Sequence, residues 1–242
     1  MPEGPSIITL KKKLDYFIGK TIIEADGYAE IDYTSLKNKK VLDVKSWGKH
    51  FFICLSNTNI EMHLRLFGSC MINRSNPRIN AKLHLKFKKD ELNFYVIDVK
   101  LTDNLEAFNP KSDILSDEWD SKLTLNKLKE VPNLQIGDAL LTQDIFSGVG
   151  NIIKNEALWL AKINPETKTK DLTISEKRRL IKFTRQFSLD WLKNYGKKGF
   201  AKEHGVYQKE FCKRCGSTIE FAKTGKSKRG SYWCTKEQIL KP

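Results

Sequence analysis

The chain begins Met1-Pro2-Glu3-Gly4-Pro5, which places a proline and an acid side by side at the amino terminus. Removal of the methionine would leave Pro2 as a secondary amine, and such an amine forms a charged iminium when it attacks a sugar aldehyde carbon. The terminal amine has a reference pKa of about 8, so a useful fraction is unprotonated near neutral pH. We therefore expect covalent catalysis on an abasic sugar, with Pro2 as nucleophile and Glu3 as proton donor. Alternatively, the prolines merely precede a helix.

Three of the five cysteines lie close together near the carboxyl terminus. Cys212 and Cys215 form a C-x-x-C pair, and 18 residues separate that pair from Cys234, a span typical of a zinc ribbon. Where a fourth cysteine is expected, the chain has Glu237. A carboxylate can bind zinc, so Glu237 is one candidate for the fourth ligand and His204 is another. A three-cysteine remnant without metal is the remaining possibility.

A glycine-bearing turn, Phe146-Ser147-Gly148-Val149-Gly150-Asn151, lies between two segments with helical spacing. Such a turn delivers the amino terminus of a helix, whose N–H groups can hold a phosphate, and Asn151 would add a side-chain donor. A simple turn between two helices would have the same Gly-x-Gly pattern.

The charge of the chain favours a polyanionic partner. The sequence has 43 Lys+Arg against 29 Asp+Glu, a formal net charge of +14, and nucleic acid is the first candidate for such a protein. Within the cysteine-rich segment, four cations form a basic hairpin: Lys223, Lys226, Lys228 and Arg229. The alternative is that these lysines and arginines are ordinary solvated surface residues.

The elements that position these residues follow from hydrophobic spacing. An amphipathic helix is predicted over 6–17, directly after the terminal proline. Strands are then predicted over 41–44, 50–55, 60–64, 81–87 and 92–97, with Ser46-Trp47-Gly48-Lys49 as a tight hairpin turn that projects Lys49. The β pattern stops at the polar stretch 109–113, where we place a domain boundary. Helices are predicted over 123–128, 136–145, 151–160 and 175–194, the last preceded by a capping-box pattern.

No apolar run approaches the length of a membrane span, and the amino terminus has no signal-peptide pattern. An odd number of cysteines without a secretion signal also argues against a disulfide framework. We therefore expect a cytoplasmic protein without a membrane partner.

The order of these parts along the chain resembles the formamidopyrimidine-DNA glycosylase and endonuclease VIII family. The resemblance rests on Met1-Pro2-Glu3-Gly4-Pro5, the Gly48-Lys49 hairpin, Gly148-Val149-Gly150-Asn151 and the terminal zinc-ribbon pattern. It implies an α+β multidomain fold with three parts. These are an N-terminal catalytic β-sandwich domain with a leading helix over 1–112, a helix–two-turn–helix domain over 113–203 and a C-terminal zinc-ribbon-like β-hairpin finger over 204–242.

The resemblance also implies roles for particular residues. Pro2 is similar to the nucleophile that attacks C1′ of the damaged nucleotide, Glu3 to the acid that helps to open the deoxyribose, and Lys49 to a hairpin lysine that contacts the lesion or its phosphate. Asn151, with Gly148 and Gly150, resembles the phosphate-gripping turn. Arg229, preceded by Lys228, resembles the finger arginine that binds phosphates around the flipped nucleotide.

A flipped-out base leaves a gap in the duplex that the protein must fill. His63-Leu64-Arg65-Leu66-Phe67-Gly68 resembles the family loop that enters the duplex, placed after a strand, and Arg65, Leu66 and Phe67 resemble the contiguous void-filling triad of the endonuclease VIII branch. A hydrophobic strand end is the alternative interpretation. The formamidopyrimidine branch takes an arginine and a phenylalanine from a separate loop after an aspartate, but the stretch 98–102 has neither. The sequence therefore favours the endonuclease VIII side and oxidised pyrimidines.

Two positions depart from the family pattern. Ser6 stands where the family usually has a second glutamate, and Glu237 stands where it has a cysteine. The first hypothesis is a glycosylase with β,δ-elimination lyase activity, acting as a monomer on damaged double-stranded DNA in the nucleoid, with structural zinc in the finger. The second is a damaged-DNA-binding protein with little turnover. The third is a generic zinc-ribbon nucleic-acid-binding protein.

Overall fold

The computed structural model describes residues 2–197 and 203–241. The chain divides into two compact units, Met1–Phe108 and Asn109–Pro242. This division lies close to the boundary that the sequence predicts after residue 112.

The first unit is a helix followed by an antiparallel sheet. Helix α1 spans Gly4–Leu14 and continues as a short 3₁₀ turn over Asp15–Phe17. The strands are β1 (Glu24–Gly27), β2 (Asp43–Trp47), β3 (His50–Cys54), β4 (Asn59–Ile72), β5 (Leu83–Lys86) and β6 (Glu91–Thr102). They form one continuous sheet in the order β1-β5-β6-β4-β3-β2. Strand β1 was not predicted, because its sequence Glu-Ala-Asp-Gly has no apolar alternation.

Alternating residues of the strands build the core of this unit. Along β4, Ile60, Met62 and Leu64 are buried in the hydrophobic core, together with Ile7 and Leu14 of α1. The residues between them on β4 therefore point to the opposite face of the sheet, since successive side chains of a strand alternate. The apolar face of α1 thus packs against the sheet and fixes the position of the amino terminus.

The second unit begins with four α-helices: α2 (Ser121–Glu130), α3 (Ile136–Leu141), α4 (Asn151–Ala161) and α5 (Ile174–Lys193). Asp120 caps α2, because its side chain accepts the backbone N–H groups of Lys122 and Leu123. Thr173 and Glu176 form the capping box that the sequence predicts before α5.

A β-hairpin follows near the carboxyl terminus. Strands β7 (Ile219–Thr224) and β8 (Arg229–Cys234) pair in antiparallel register, and residues 225–228, called the finger tip below, join them. The expected α+β class, with an N-terminal β domain, a helical domain and a C-terminal hairpin carrying cysteines, is confirmed. Within the part of the chain that the structure describes, none of the helices has both the length and the hydropathy that a membrane span requires.

Candidate catalytic and nucleic-acid-binding sites

The amino end of α1 holds the two residues predicted to do covalent chemistry. Glu3 is the N-cap of α1 and is fully buried, while Pro2, directly before it, is half-buried. The Ser6 hydroxyl accepts the Glu3 N–H at 3.0 Å and donates to the Glu3 carbonyl oxygen at 2.7 Å. These bonds close the first turn of the helix and fix the backbone next to Pro2.

The predicted Lys49 hairpin is present. Trp47, the last residue of β2, pairs with His50, the first residue of β3, so Gly48 and Lys49 form a two-residue turn between the strands. Gly48 has φ of 56°, a left-handed value that glycine adopts without strain. Helix α1 packs against both β2 and β3. The structure therefore brings together the elements that carry Pro2, Glu3 and Lys49.

A polar network that the sequence did not point to lies beside Lys49. His50 Nδ1 is 3.0 Å from Glu61 Oε1, and Lys100 Nζ is 3.1 Å from Glu61 Oε2. The His50 ring also lies 5.0 Å from the ring of His63. Burial lowers the pKa of both histidines, and the positive charge of Lys49 lowers both further. Pairing with Glu61 opposes the shift at His50 without reversing it.

The proposed void-filling triad lies on a bulge within β4, so the expectation of a loop after a strand was wrong. Pairing with β6 breaks after Leu64 and resumes at Ser69. Strand β4 continues beyond the bulge because residues 69–72 pair again with β6. Gly68 is required here, because a side chain would overlap the backbone of Arg65.

The bulge presents Leu66 and Phe67 to solvent, with 52% and 82% of their surface exposed. Arg65 is held by a bidentate pair with Asp98 of β6, its Nε lying 2.8 Å from both carboxylate oxygens. This bond keeps the pKa of the Asp98 carboxyl below its ordinary value. Exposed apolar tips beside a fixed guanidinium suit insertion into a duplex.

In the second unit, the glycine-bearing turn leads into α4 as predicted. Gly150 is the N-cap of α4 and Gly148 has φ of 92°. Gln143, which the sequence analysis did not single out, shapes this turn: its Oε1 accepts the Gly148 N–H at 3.1 Å, and its Nε2 donates to the Val149 carbonyl at 3.1 Å. Asn151, the first residue of α4, keeps a buried Oδ1 that has no hydrogen-bond partner among the described residues.

Helix α4 holds the finger hairpin through two buried polar side chains. Lys154 Nζ donates to the Gly230 carbonyl at 3.0 Å and to the Ser231 hydroxyl at 2.9 Å. Asn155 Oδ1 accepts the Tyr232 N–H at 2.7 Å, and its Nδ2 donates to the Gly230 carbonyl at 3.3 Å. The helix that begins with Asn151 is thereby tied to the strand that begins with Arg229. Arg229 itself is exposed, as is Lys228.

Glu156, which follows Asn155 in α4, fixes the segment that precedes the finger. The buried Glu156 carboxylate accepts three backbone N–H groups, those of Gly205, Val206 and Tyr207, at 2.7 to 3.1 Å. A buried carboxylate needs such donors to offset its desolvation. Lys154, Asn155 and Glu156 are consecutive residues of α4, and each of them binds backbone groups in the carboxyl-terminal part of the chain.

A candidate metal centre lies where the sequence places it. One ligand atom from each of Cys212, Cys215, Cys234 and Glu237 falls within 4.8 Å of the others. His204 is not in this group and instead packs against the ring of Phe187.

The donor set fits a tetrahedral zinc ion. With Zn–S bonds of about 2.3 Å, two sulfurs lie about 3.8 Å apart, and those of Cys215 and Cys234 are 3.4 Å apart. A hydrogen bond from Ser217 lowers the pKa of Cys215 to about 7, whereas burial raises the pKa of Cys234 to about 11. Glu237 also pairs with Arg214 at 2.7 Å and Lys162 at 3.3 Å, which hold its carboxylate beside the thiols.

Two family models match the chain. The formamidopyrimidine-DNA glycosylase N-terminal domain matches residues 1–101, and the formamidopyrimidine-DNA glycosylase H2TH domain matches residues 111–188. The chain belongs to the formamidopyrimidine-DNA glycosylase and endonuclease VIII family, whose members excise oxidised bases in DNA repair.

Relatives from both branches resemble the chain over almost its whole length. It is 31% identical to the Endonuclease 8-like 3 of Xenopus laevis, with 94% of this chain and 39% of that protein covered. It is 27% identical to the Endonuclease 8 2 of Mycobacterium bovis, with 97% and 98% covered. The fold matches the formamidopyrimidine-DNA glycosylase of Lactococcus lactis, solved non-covalently bound to DNA containing an abasic site, with a TM-score of 0.86, 26% identity and coverage of 98% and 99%.

Proposed function

We propose that this protein is a bifunctional DNA glycosylase and abasic-site lyase that removes oxidised bases, preferentially pyrimidines, through a Schiff base on Pro2. The observation that carries the proposal is the position of Pro2 directly before the buried Glu3, at the end of a helix packed against the Lys49 hairpin. Residues 1–112 would be the catalytic domain, 113–203 the helix–two-turn–helix domain and 204–242 the finger. The protein would act as a monomer on damaged double-stranded DNA.

The chemistry follows from the amine of Pro2 once Met1 has been removed. The nitrogen attacks C1′, and the base leaves with the electrons of the glycosidic bond and takes up a proton. Glu3 protonates the ring oxygen as the deoxyribose opens, which leaves an iminium between Pro2 and C1′. The iminium makes the C2′ proton acidic, so its loss expels the 3′-phosphate. A second elimination expels the 5′-phosphate, and water then hydrolyses the iminium to free the proline.

Cationic side chains and the amino end of a helix would bind the DNA during these steps. Lys49 would project from its hairpin turn toward the lesion or its phosphate. The turn of Gly148, Gly150 and Asn151 would grip a phosphate at the amino end of α4, and Arg229 with Lys228 would bind phosphates around the flipped nucleotide. The links from Lys154 and Asn155 to β8 support a joint role for the last two groups.

The bulge in β4 would fill the gap left by the flipped base. Leu66 and Phe67 are exposed wedge residues, and Arg65 beside them is fixed by Asp98. The formamidopyrimidine branch takes two void-filling residues from a separate loop, but residues 98–102 of β6 pair with β4 as a regular strand. This difference supports the endonuclease VIII side and therefore a preference for oxidised pyrimidines.

Zinc would have a structural role, bound by Cys212, Cys215, Cys234 and Glu237. When bound, it would join the residues before β7 to those after β8, and so stabilise the finger that carries Arg229. We expect about one zinc per chain by metal analysis of the purified protein. The Glu237→Ala variant should release zinc to a chelator faster, whereas Glu237→Cys should release it more slowly. Unaltered release from Glu237→Ala would show that this carboxylate is not a ligand.

A damaged-DNA-binding protein with little turnover is the second candidate. It is favoured by Ser6, whose hydroxyl bonds to the backbone of Glu3 at a position where the family usually has a second carboxylate. Without that carboxylate, one route for proton transfer near Pro2 is missing.

Strand incision separates the two candidates. The methionine-processed protein would be incubated with duplexes that carry an abasic site, thymine glycol or 8-oxoguanine, with Pro2→Gly and the exposed-site control Lys12→Ala beside it. We expect incision at the abasic site and at thymine glycol, lost in Pro2→Gly and kept in Lys12→Ala. Tight binding to an abasic analogue without incision would favour the non-catalytic candidate, and faster incision at 8-oxoguanine would overturn the pyrimidine preference.

A further inference from the structure

An acid on α3 holds the finger tip from the side of the helical domain. Asp138 Oδ2 accepts the Lys226 N–H at 2.7 Å, and Oδ1 accepts the Ser227 N–H at 3.3 Å. The carboxylate lies so close to Gly225 that a side chain at that position would overlap it. Gly225 also has φ of 68°, so the tip is shaped around Asp138 both by hydrogen bonds and by close approach.

The backbone of the hairpin is held a second time just beyond Arg229. Lys154 and Asn155 of α4 bind the carbonyl oxygen of Gly230, and Asn155 also accepts the N–H of Tyr232. Arg229 therefore lies between two anchored stretches of backbone, one fixed by α3 and the other by α4. Its main-chain position is set from both ends, and its side chain is exposed to solvent.

The charges around the tip give Asp138 a second effect. None of Lys223, Lys226, Lys228 and Arg229 forms an ion pair within residues 2–197 and 203–241. Asp138 accepts backbone N–H groups and does not pair with these cations, so they stay available to a polyanion. Its negative charge also offsets part of the repulsion among them.

We propose that Asp138 is a positioning residue that sets the finger tip so that Arg229 meets a DNA phosphate. This inference rests on the proposed function, because it assigns the Arg229 side chain to DNA. Loss of the Asp138 carboxylate would free the tip, so that Arg229 no longer contacts its phosphate in most bound complexes. Asp138 would act through Arg229 and would not touch the DNA.

The test is the salt dependence of binding to a duplex with a stable abasic analogue, measured by fluorescence anisotropy. Each phosphate contact contributes about 0.9 to the slope of log K against log salt. For Asp138→Ala we expect about tenfold weaker binding and a slope smaller by about one, as for Arg229→Ala. The double variant should bind no more weakly than Arg229→Ala, and Asp138→Asn, which keeps one acceptor oxygen, should recover part of the loss.

A matched control is Asp117→Ala, which removes an exposed acid from the same unit. Thermal unfolding of each variant would show whether a loss of binding merely follows a loss of stability. Normal affinity and slope in Asp138→Ala, or fully additive losses in the double variant, would overturn the inference. Failure of the proposed function would appear differently, as binding without strand incision by the unaltered protein.

Discussion

Asn155 of α4 accepts the backbone N–H of Tyr232 at 2.7 Å, across 77 residues of sequence. The same side chain donates to the carbonyl oxygen of Gly230. Asn155 therefore fixes the strand immediately after Arg229, and it does so from the helix that begins with Asn151. The Asn155 amide, together with Lys154, therefore connects the two predicted phosphate-binding groups of this unit.

Replacement of Asn155 should therefore disturb the finger. Asn155→Ala would leave the Tyr232 N–H without its partner, at a cost of about 1–3 kcal/mol. We expect a lower unfolding temperature and about tenfold weaker duplex binding, measured by calorimetry and anisotropy. Asn126→Ala, which truncates an exposed asparagine of α2, is the control. Equal behaviour of the two variants would contradict this role.

The second prediction concerns Ser6. Ser6→Ala removes the hydroxyl that accepts the Glu3 N–H, so the first turn should loosen at a cost of about 1 kcal/mol and the lyase rate constant should fall. Ser6→Glu should preserve the turn, since glutamate at this helix position is a usual capping-box residue. Single-turnover incision of abasic DNA measures the lyase rate constant of both variants. An unchanged rate in Ser6→Ala would show that the turn does not position Pro2.

The third prediction concerns the bulge in β4. Phe67 is 82% exposed, so Phe67→Ala should leave the unfolding temperature unchanged while it slows excision of a paired lesion about tenfold, because the gap is no longer filled. Incision at a preformed abasic site should be less affected. Tyr28→Ala, which removes another exposed aromatic of the same unit, is the control. Normal excision by Phe67→Ala would favour the alternative interpretation of this segment as a hydrophobic strand end.

The fourth prediction is a pH dependence of stability. Burial lowers the folded-state pKa of His50 and His63 below 6.5, although Glu61 and Asp98 oppose this and Lys49 reinforces it. The folded protein then binds fewer protons than the unfolded chain. The contribution of the two histidines to stability is complete above pH 6.5 and declines as the pH falls toward the folded-state pKa values.

Replacement of both histidines should flatten this dependence. We expect the unfolding temperature of His50→Gln/His63→Gln to fall less between about pH 7.5 and about pH 5 than that of the unaltered protein. If the unfolding temperatures of the two proteins changed in parallel with pH, the lowered pKa values of the two histidines would be contradicted.

Local patterns predicted much of the fold and of the candidate sites. The Lys49 turn, the glycine-bearing turn before Asn151 and the grouping of Cys212, Cys215, Cys234 and Glu237 each have a short sequence signature, because turn glycines and metal ligands have characteristic spacing. Hydrophobic alternation likewise located most strands of the sheet.

Contacts between distant polar residues could not be predicted in this way. Asp138 and Lys154 bind backbone groups 88 and 76 residues away, and neither has a local pattern that indicates its partner. The bulge was missed for a related reason. Its existence depends on how β4 resumes pairing with β6 after Gly68, which is a property of the sheet and not of the segment.

Borohydride trapping tests the central claim most directly. The methionine-processed protein would be reduced on an abasic duplex, and the adduct would be located by mass spectrometry of its peptides. We predict that the sugar fragment is attached to the Pro2 nitrogen and that Pro2→Gly lowers the yield of trapped product far more than Lys12→Ala does. An adduct on a lysine, or none on a protein that binds the duplex, would contradict the assignment of Pro2 as nucleophile.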